Sequence, residues 1–118
     1  MFIGVLSFTL LIGGAESIKD KRRVVNSVKA KLHREHQVSV AEVGNLDRMD
    51  AAFMALAMVN RDRRYLTGVL DRIQDKLAGL GDAELRDCSR TILNPDDTSE
   101  AYLTDDGQPL WTEDERRE

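Results

Sequence analysis

The chain has 118 residues, of which 42% are hydrophobic and 32% charged, values typical of one small soluble domain with a single core. Its one cysteine, Cys88, excludes an internal disulfide framework and fits a reducing cytosol. The net charge of −4 hides an asymmetry: residues 1–81 hold 13 basic and 9 acidic residues (net +4), whereas residues 82–118 hold 4 and 12 (net −8). Bulk charge is therefore a poor guide to binding partners.

Residues 2–11, FIGVLSFTLL, predict the first β-strand. A period of two puts the large apolar side chains of the even positions on one face and leaves Ile3 and Val5, followed by Ser7 and Thr9, on the other. The segment has no cationic leader and no good cleavage site, and it is too short to span a bilayer. We therefore interpret it as a strand of a cytoplasmic protein rather than as a signal peptide.

The next segments predict a helix and a second strand. Ser17 is a good N-cap with Asp20 three residues further on, a relaxed form of the capping box. A helix is expected from there to Glu35 or His36, held by one apolar stripe of Ile18, Val25, Val28 and Leu32. Residues 38–44, VSVAEVG, are rich in β-branched side chains and predict a strand ending at Gly44.

Residues 51–59, AAFMALAMV, have the composition of a helix. Their place after a strand and a loop of hairpin length predicts a buried central strand instead. Asn60 is expected to cap a second helix over about residues 61–79, with an apolar stripe of Leu66, Val69, Leu70, Ile73 and Leu77. Residues 84–93 predict a strand with charged side chains on both of its faces, which is typical of an edge strand.

The resulting order, β-α-β-β-α-β, predicts an α+β ferredoxin-like sandwich over residues 1–93: a four-stranded antiparallel sheet with two helices on one face. Residues 94–118 hold 9 acidic and 2 basic residues and predict a mobile acidic tail. The sheet face without helices is left uncovered. Ile3 and Val5 on that face are the candidate interface for a homodimer, a protein partner or a small regulatory ligand.

The stretches MFIGVL, ESIKDKRRVVNSVKAKL and VSVAEVG together resemble the YlxP-like family, small bacterial proteins of unknown function. The resemblance covers about residues 1–93 and is strongest up to Gly44. It implies the ferredoxin-like fold, and the genes of its members often lie beside those for translation initiation and ribosome maturation factors. A role in translation or ribosome maturation is therefore implied. The acidic tail departs from the short ending usual in the family.

The front of the first helix is the candidate contact for RNA or another polyanion. Cations in the first turns of a helix oppose its dipole, whereas a bound anion reverses that effect. The candidate residues are Lys19, Lys21, Arg22, Arg23 and Lys29. The alternative is a solvated helix face, with Glu16 and Asp20 offsetting the nearest cations. A further hypothesis has the acidic tail fold back over this helix and mimic a nucleic acid.

Recognition of RNA bases by aromatic side chains on the open sheet is not expected, because the third strand offers only Phe53. RNA would instead be bound through backbone charge and shape, with partners such as ribosomal RNA or ribosomal particles. The arginines at the start of the second helix would extend the footprint: Arg61, Arg63 and Arg64.

The sequence carries no hydrolase, nucleotide-binding or metalloprotease motif, so it predicts a non-enzymatic protein without a cofactor. His33 and His36 are spaced as metal ligands can be, with Glu35 as a third. Their place at a helix C-terminus is better explained by the helix dipole, and no metal site is predicted. Glu42 and Asp47 are interpreted as lone surface acids.

Overall fold

The computed structural model describes residues 1–96. Six elements follow in order: β1 (Phe2–Leu11), α1 (Ile18–His36), β2 (Ser39–Gly44), β3 (Ala51–Asn60), α2 (Arg63–Ala78) and β4 (Glu84–Leu93). The predicted order and types are confirmed, including β3 as a strand despite its helix-forming composition. Of the predicted acidic tail, residues 97–118 lie outside the described residues.

The four strands form one antiparallel sheet in the order β2-β3-β1-β4. β1 and β3 pair along their whole lengths, from Phe2 opposite Asn60 to Leu11 opposite Ala51. β2 and β4 are the two edge strands. With two helices, this is the predicted α+β ferredoxin-like arrangement. Neither helix of the described part is long and apolar enough to cross a membrane.

The core lies between the helices and one face of the sheet. The even positions of β1 point into it, and Leu6, Phe8 and Leu10 are at most 1% exposed. All five residues of the predicted α2 stripe are buried there, with Val25, Val28 and Leu32 of α1. Gly4 lets α2 approach β1 closely, because a Cβ at this position would lie 3.0 Å from Leu66 Cδ2.

The first helix begins as predicted. The Ser17 hydroxyl accepts a hydrogen bond from the Asp20 amide at 3.2 Å, and Asp20 Oδ2 accepts one from the Glu16 amide at 3.0 Å. The helix ends at Gln37, which adopts a left-handed conformation with φ 53°. Both caps satisfy backbone groups that have no partner within the helix.

The second helix begins two residues later than predicted. Its N-cap is Asp62, whose Oδ1 accepts hydrogen bonds from the amides of Arg64 and Tyr65. Asn60, the predicted cap, instead accepts a hydrogen bond from the Asp62 amide at 2.8 Å and closes the turn that precedes the helix. Asparagine and aspartate are equally good caps, but the aspartate charge also favours the positive end of the helix dipole.

Candidate nucleic-acid interface

Helix α1 is strongly basic, with seven lysines and arginines against two carboxylates, Asp20 and Glu35. Three of the five predicted contact residues lie on its exposed surface: Lys19, Arg22 and Arg23. Lys29 is half-buried at the side of the helix that faces β2. These four side chains are therefore available to an external anion.

Lys21 was predicted to be a contact residue, but the structure places it in the interior. Its side chain is 2% exposed and points into the protein. The ammonium donates hydrogen bonds to the backbone carbonyl oxygens of Asn45 and Arg48, both at 2.6 Å. It also lies 2.7 Å from Glu42 Oε2. Lys21 ties the start of α1 to the β2–β3 connection and is not accessible to RNA.

The interpretation of Glu42 as a lone surface acid is also wrong. Its side chain is only 17% exposed and pairs with Lys21. Oε2 makes no hydrogen bond of ordinary angles within the described residues, so the contact is an ion pair held by charge. Burying either charge alone would be costly, and together the two neutralise each other.

A signal for the burial of Lys21 is present in the sequence. Lys21 lies three residues after Ile18 and four before Val25, on the apolar stripe of the helix. A lysine on a buried stripe needs a carboxylate or carbonyl partner. The partners are on a loop and a strand more than 20 residues away, so the stripe alone shows that Lys21 is buried but not what it binds.

One of the α1 cations, Lys29, borders a groove. Lys19, Arg22 and Lys29 follow one side of α1 at helical spacing, together with Asn26 and His33. A groove of about 680 Å³ runs between this side of the helix and the edge strand β2, and Asn26, Lys29 and His33 line it. His33 Nδ1 lies 3.2 Å from the carbonyl oxygen of Val38 on the groove floor. The groove therefore has one cation, Lys29, in its helical wall and borders an unpaired strand edge.

Of the eight lysines and arginines elsewhere in the described chain, four have a carboxylate partner, whereas five of the seven in α1 have none. Arg48, Lys76, Arg86 and Arg90 are paired with Asp50, Glu35, Glu84 and Asp71. Arg23 is held only loosely by Asp20, at 3.9 Å. Within residues 1–96 no ion pair engages the remaining α1 cations: Lys19, Arg22, Lys29, Lys31 and Arg34. The outer surface of α1 therefore keeps an uncompensated positive charge.

The arginines of the second helix do not adjoin this surface. α1 begins beside the β2–β3 connection, at the N-terminal end of β3, where Lys21 contacts Arg48. Arg61, Arg63 and Arg64 follow the C-terminal end of β3, opposite Phe2. The two helix starts are thus at opposite ends of a ten-residue strand. Arg61, Arg63 and Arg64 form a separate cationic site.

A second groove lies beside the turn at Gly13 and Gly14, with a volume of about 1020 Å³. Its charged lining is mainly acidic and consists of Glu16, Asp20, Asp50, Asp82 and Glu84, with Arg23 as the one cation. A phosphate bound here would be repelled by the carboxylates. The glycine turn therefore does not resemble an anion-binding loop.

His36 packs between the two helices. Its Nε2 lies 2.8 Å from Lys76 Nζ, and the same ammonium also bonds the Glu35 carboxylate. Burial and the Lys76 charge lower the pKa of His36 below its usual value, while Glu35 opposes the shift. Within the described residues no three His, Cys, Asp or Glu side chains come together as metal ligands.

Cys88 on β4 is half-buried and free. Burial raises the pKa of its thiol, an effect that the nearby Arg90 partly offsets. The thiol form is therefore favoured at neutral pH, as expected for a packing residue rather than a nucleophile.

Comparison with known families identifies the chain. Residues 3–90 match the model of DUF503, a family described as a protein of unknown function. The chain belongs to the DUF503 family. The match spans β1 to the middle of β4, so it includes the basic helix, the Lys21–Glu42 pair and the groove beside β2. No curated protein matches the chain.

Proposed function

We propose that this DUF503 protein is a non-enzymatic accessory factor of translation or ribosome maturation. It binds structured RNA or a ribosomal particle through the exposed side of α1. The proposal places it in the cytoplasm of a bacterium, as a YlxP-like member of the family.

The observation that carries the proposal is the unpaired charge on α1. Lys19, Arg22 and Lys29 share one side of the helix and have no carboxylate partner within the described residues. Folding gains nothing from the cation nearest the helix start, because Lys19 in the first turn opposes the dipole by about 0.3–1 kcal/mol. Phosphates along an RNA backbone would turn that cost into attraction.

The choice of target follows from the chemistry of the site and from the resemblance. The site offers charge and a groove but no cluster of aromatic side chains, so it favours recognition of backbone and shape over reading of bases. The resemblance to YlxP-like proteins, whose genes often lie beside those of translation factors, supports a ribosomal target among the available polyanions.

The test is cosedimentation with ribosomal particles over a salt series. The variant Lys19→Ala/Arg22→Ala/Lys29→Ala removes three charges without touching the buried Lys21. We expect weaker pelleting at every salt concentration and a shallower dependence on salt, by up to about 0.7–0.9 in log–log slope for each lost phosphate contact.

The matched control is Arg61→Ala/Arg63→Ala/Arg64→Ala, which removes the same charge at the opposite end of β3. It should pellet nearly like the wild type. Equal loss in both triple variants would indicate a nonspecific charge effect. No difference between the wild type and the α1 variant, or no pelleting even at low salt, would contradict the proposal.

A further inference from the structure

The sheet face that the helices leave uncovered is apolar over three of its four strands. On β1 it consists of the odd positions, and residues directly opposite on neighbouring strands share the face. It comprises Ile3, Val5, Ser7, Thr9 and Leu11 of β1, Phe53, Ala55, Ala57 and Val59 of β3, and Ser39 and Ala41 of β2. We call this set, with its neighbours on β4, the open face.

The open face carries no charge on β1, β2 or β3. Val59 is 62% exposed and Phe53 40% exposed, although both are large apolar side chains. The charged residues of this face, Arg86 and Glu84, lie on β4 and pair with each other at 2.9 Å. A contiguous apolar surface of this kind is uncommon on a monomer and marks a contact surface.

Residues that lie directly opposite one another on neighbouring strands form rows across the sheet. On the open face, rows of small side chains lie beside rows that contain larger ones. One row is built only of small residues: Ala41, Ala55, Ser7 and Ser89. The next row on one side of this small row contains Phe53. On the other side comes first the row of Ala57 and Val5, and then the row of Val59, Ile3 and Leu93. Larger side chains thus lie on both sides of a row of small ones, and a two-fold contact would bring this same surface of both copies together.

We propose that the open face is the interface of a homodimer, in which the sheets of two copies pack face to face. The small central row lets the second sheet approach, and the larger apolar side chains on either side of it, such as Phe53 and Val59, pack against the other copy. The contact needs no charged partner, because β1, β2 and β3 contribute no charged side chain to it and Arg86 and Glu84 of β4 pair with each other.

The area of the open face indicates how strongly two copies should associate. The four strands contain 10, 6, 10 and 10 residues, which at strand spacing cover roughly 570 Å² per copy. Two copies together would bury roughly 1,100 Å², near the lower limit of specific protein interfaces. A reversible dimer is therefore expected rather than a permanent one.

The dimer goes beyond the proposed function and does not depend on it. The helices lie on the other face of each sheet, so pairing of the open faces leaves both α1 surfaces exposed. A variant that abolishes the dimer should still bind polyanions with the affinity of a single copy. Failure of one proposal is therefore distinguishable from failure of the other.

The test is sedimentation equilibrium of the full chain between about 1 and 100 µM. We expect the wild type to shift from monomer to dimer over this range. Val59→Glu puts a charge into the apolar interface and should weaken dimerisation at least about tenfold. Ala57→Glu, beside the row of small residues, should act in the same way. Circular dichroism verifies that each variant is folded.

The matched control is Leu46→Glu, because Leu46 is also 62% exposed but lies in the β2–β3 connection, off the face. It should dimerise like the wild type. A wild type that stays monomeric over the whole range would overturn the proposal. So would full dimerisation of Val59→Glu, equal weakening by Leu46→Glu, or growth beyond the dimer.

Discussion

Lys21 shows how one residue can belong to a basic cluster and yet serve the fold. Its neighbours Lys19, Arg22 and Arg23 extend into solvent, while its own ammonium is held by one carboxylate and two carbonyl oxygens. The carbonyls belong to a connection in which Asn45 adopts a positive φ of 59°. A buried cation with three acceptors fixes the path of that connection against the helix.

Replacement of Lys21 by Met should destabilise the protein by about 2–4 kcal/mol, because Glu42 would be left nearly buried without a counter-charge. Chemical denaturation measures the change. Lys29→Met on the same helix is the control and should stay within about 0.5 kcal/mol of the wild type. Adding Glu42→Gln to Lys21→Met should recover part of the loss. Equal stability of the two Met variants would show that the pair does not hold the connection.

At the scale of elements, the two helices meet through a small polar contact at the end of α1. Lys76 of α2 bonds both Glu35 and His36, so one ammonium links the C-terminal turn of α1 to its neighbour. The geometry needs a neutral His36, because its Nε2 must accept from a charged donor. The contact therefore makes the packing of the helices sensitive to pH.

The sign of this pH dependence follows from the lowered pKa of His36. The folded protein takes up the proton less readily than the unfolded chain, whose histidine titrates near its ordinary value of 6.5. Stability is therefore full above pH 6.5 and is lost as the pH falls through the lower pKa of the folded state. The Glu35 carboxyl, whose pKa Lys76 also lowers, adds a separate loss below pH 4.5.

Unfolding free energies measured from pH 7.5 to 5 test this expectation. His36→Gln should flatten the curve over that range, because the proton that the unfolded chain gains there is no longer available. If His36→Gln keeps the slope of the wild type, another group is responsible. An NMR titration that places the His36 pKa at or above 6.5 would contradict the argument directly.

At the scale of the whole molecule, charge and apolar surface are separated on opposite sides of the sheet. The unpaired cations lie on the outer side of α1, and the neutral apolar surface lies on the face without helices. Residues 1–96 hold 15 basic and 13 acidic residues, a net charge of +2. Residues 97–118 hold 2 and 8, a net charge of −6. The acidic segment therefore changes the net charge from +2 for residues 1–96 to −4 for the whole chain.

Removal of residues 97–118 should raise the affinity for a polyanion at low salt, because the net charge changes from −4 to +2. The gain should shrink as salt is added, since screening acts over about 8 Å at physiological ionic strength. Fluorescence anisotropy with a labelled RNA hairpin measures both. A full-length control with the eight carboxylates of this segment changed to Asn or Gln separates charge from chain length. Unchanged affinity in both variants would show that the segment does not screen the helix.

The sequence by itself determined most of the fold. Alternation in β1 assigned its two faces correctly, and the 3.6-residue stripes of α1 and α2 identified the side of each helix that is buried. These patterns are local, because each reflects only neighbours within a few turns or residues of one element. The largest boundary error, Asp62 in place of Asn60 as N-cap, arose because both residue types cap well and lie two positions apart, while the other differences are of one residue.

Which residues lie on the candidate contact surfaces could be learned only from the tertiary structure. Lys21 lies in the most basic stretch of the chain, and its removal from the contact surface rests on acceptors 24 and 27 residues away. The open face likewise combines rows from strands as distant in sequence as Ser7 and Ala55, and its row of small residues exists only in their observed register. The position of a charged side chain and the composition of a surface depend on contacts between distant segments. The periodicity within one element does not specify those contacts.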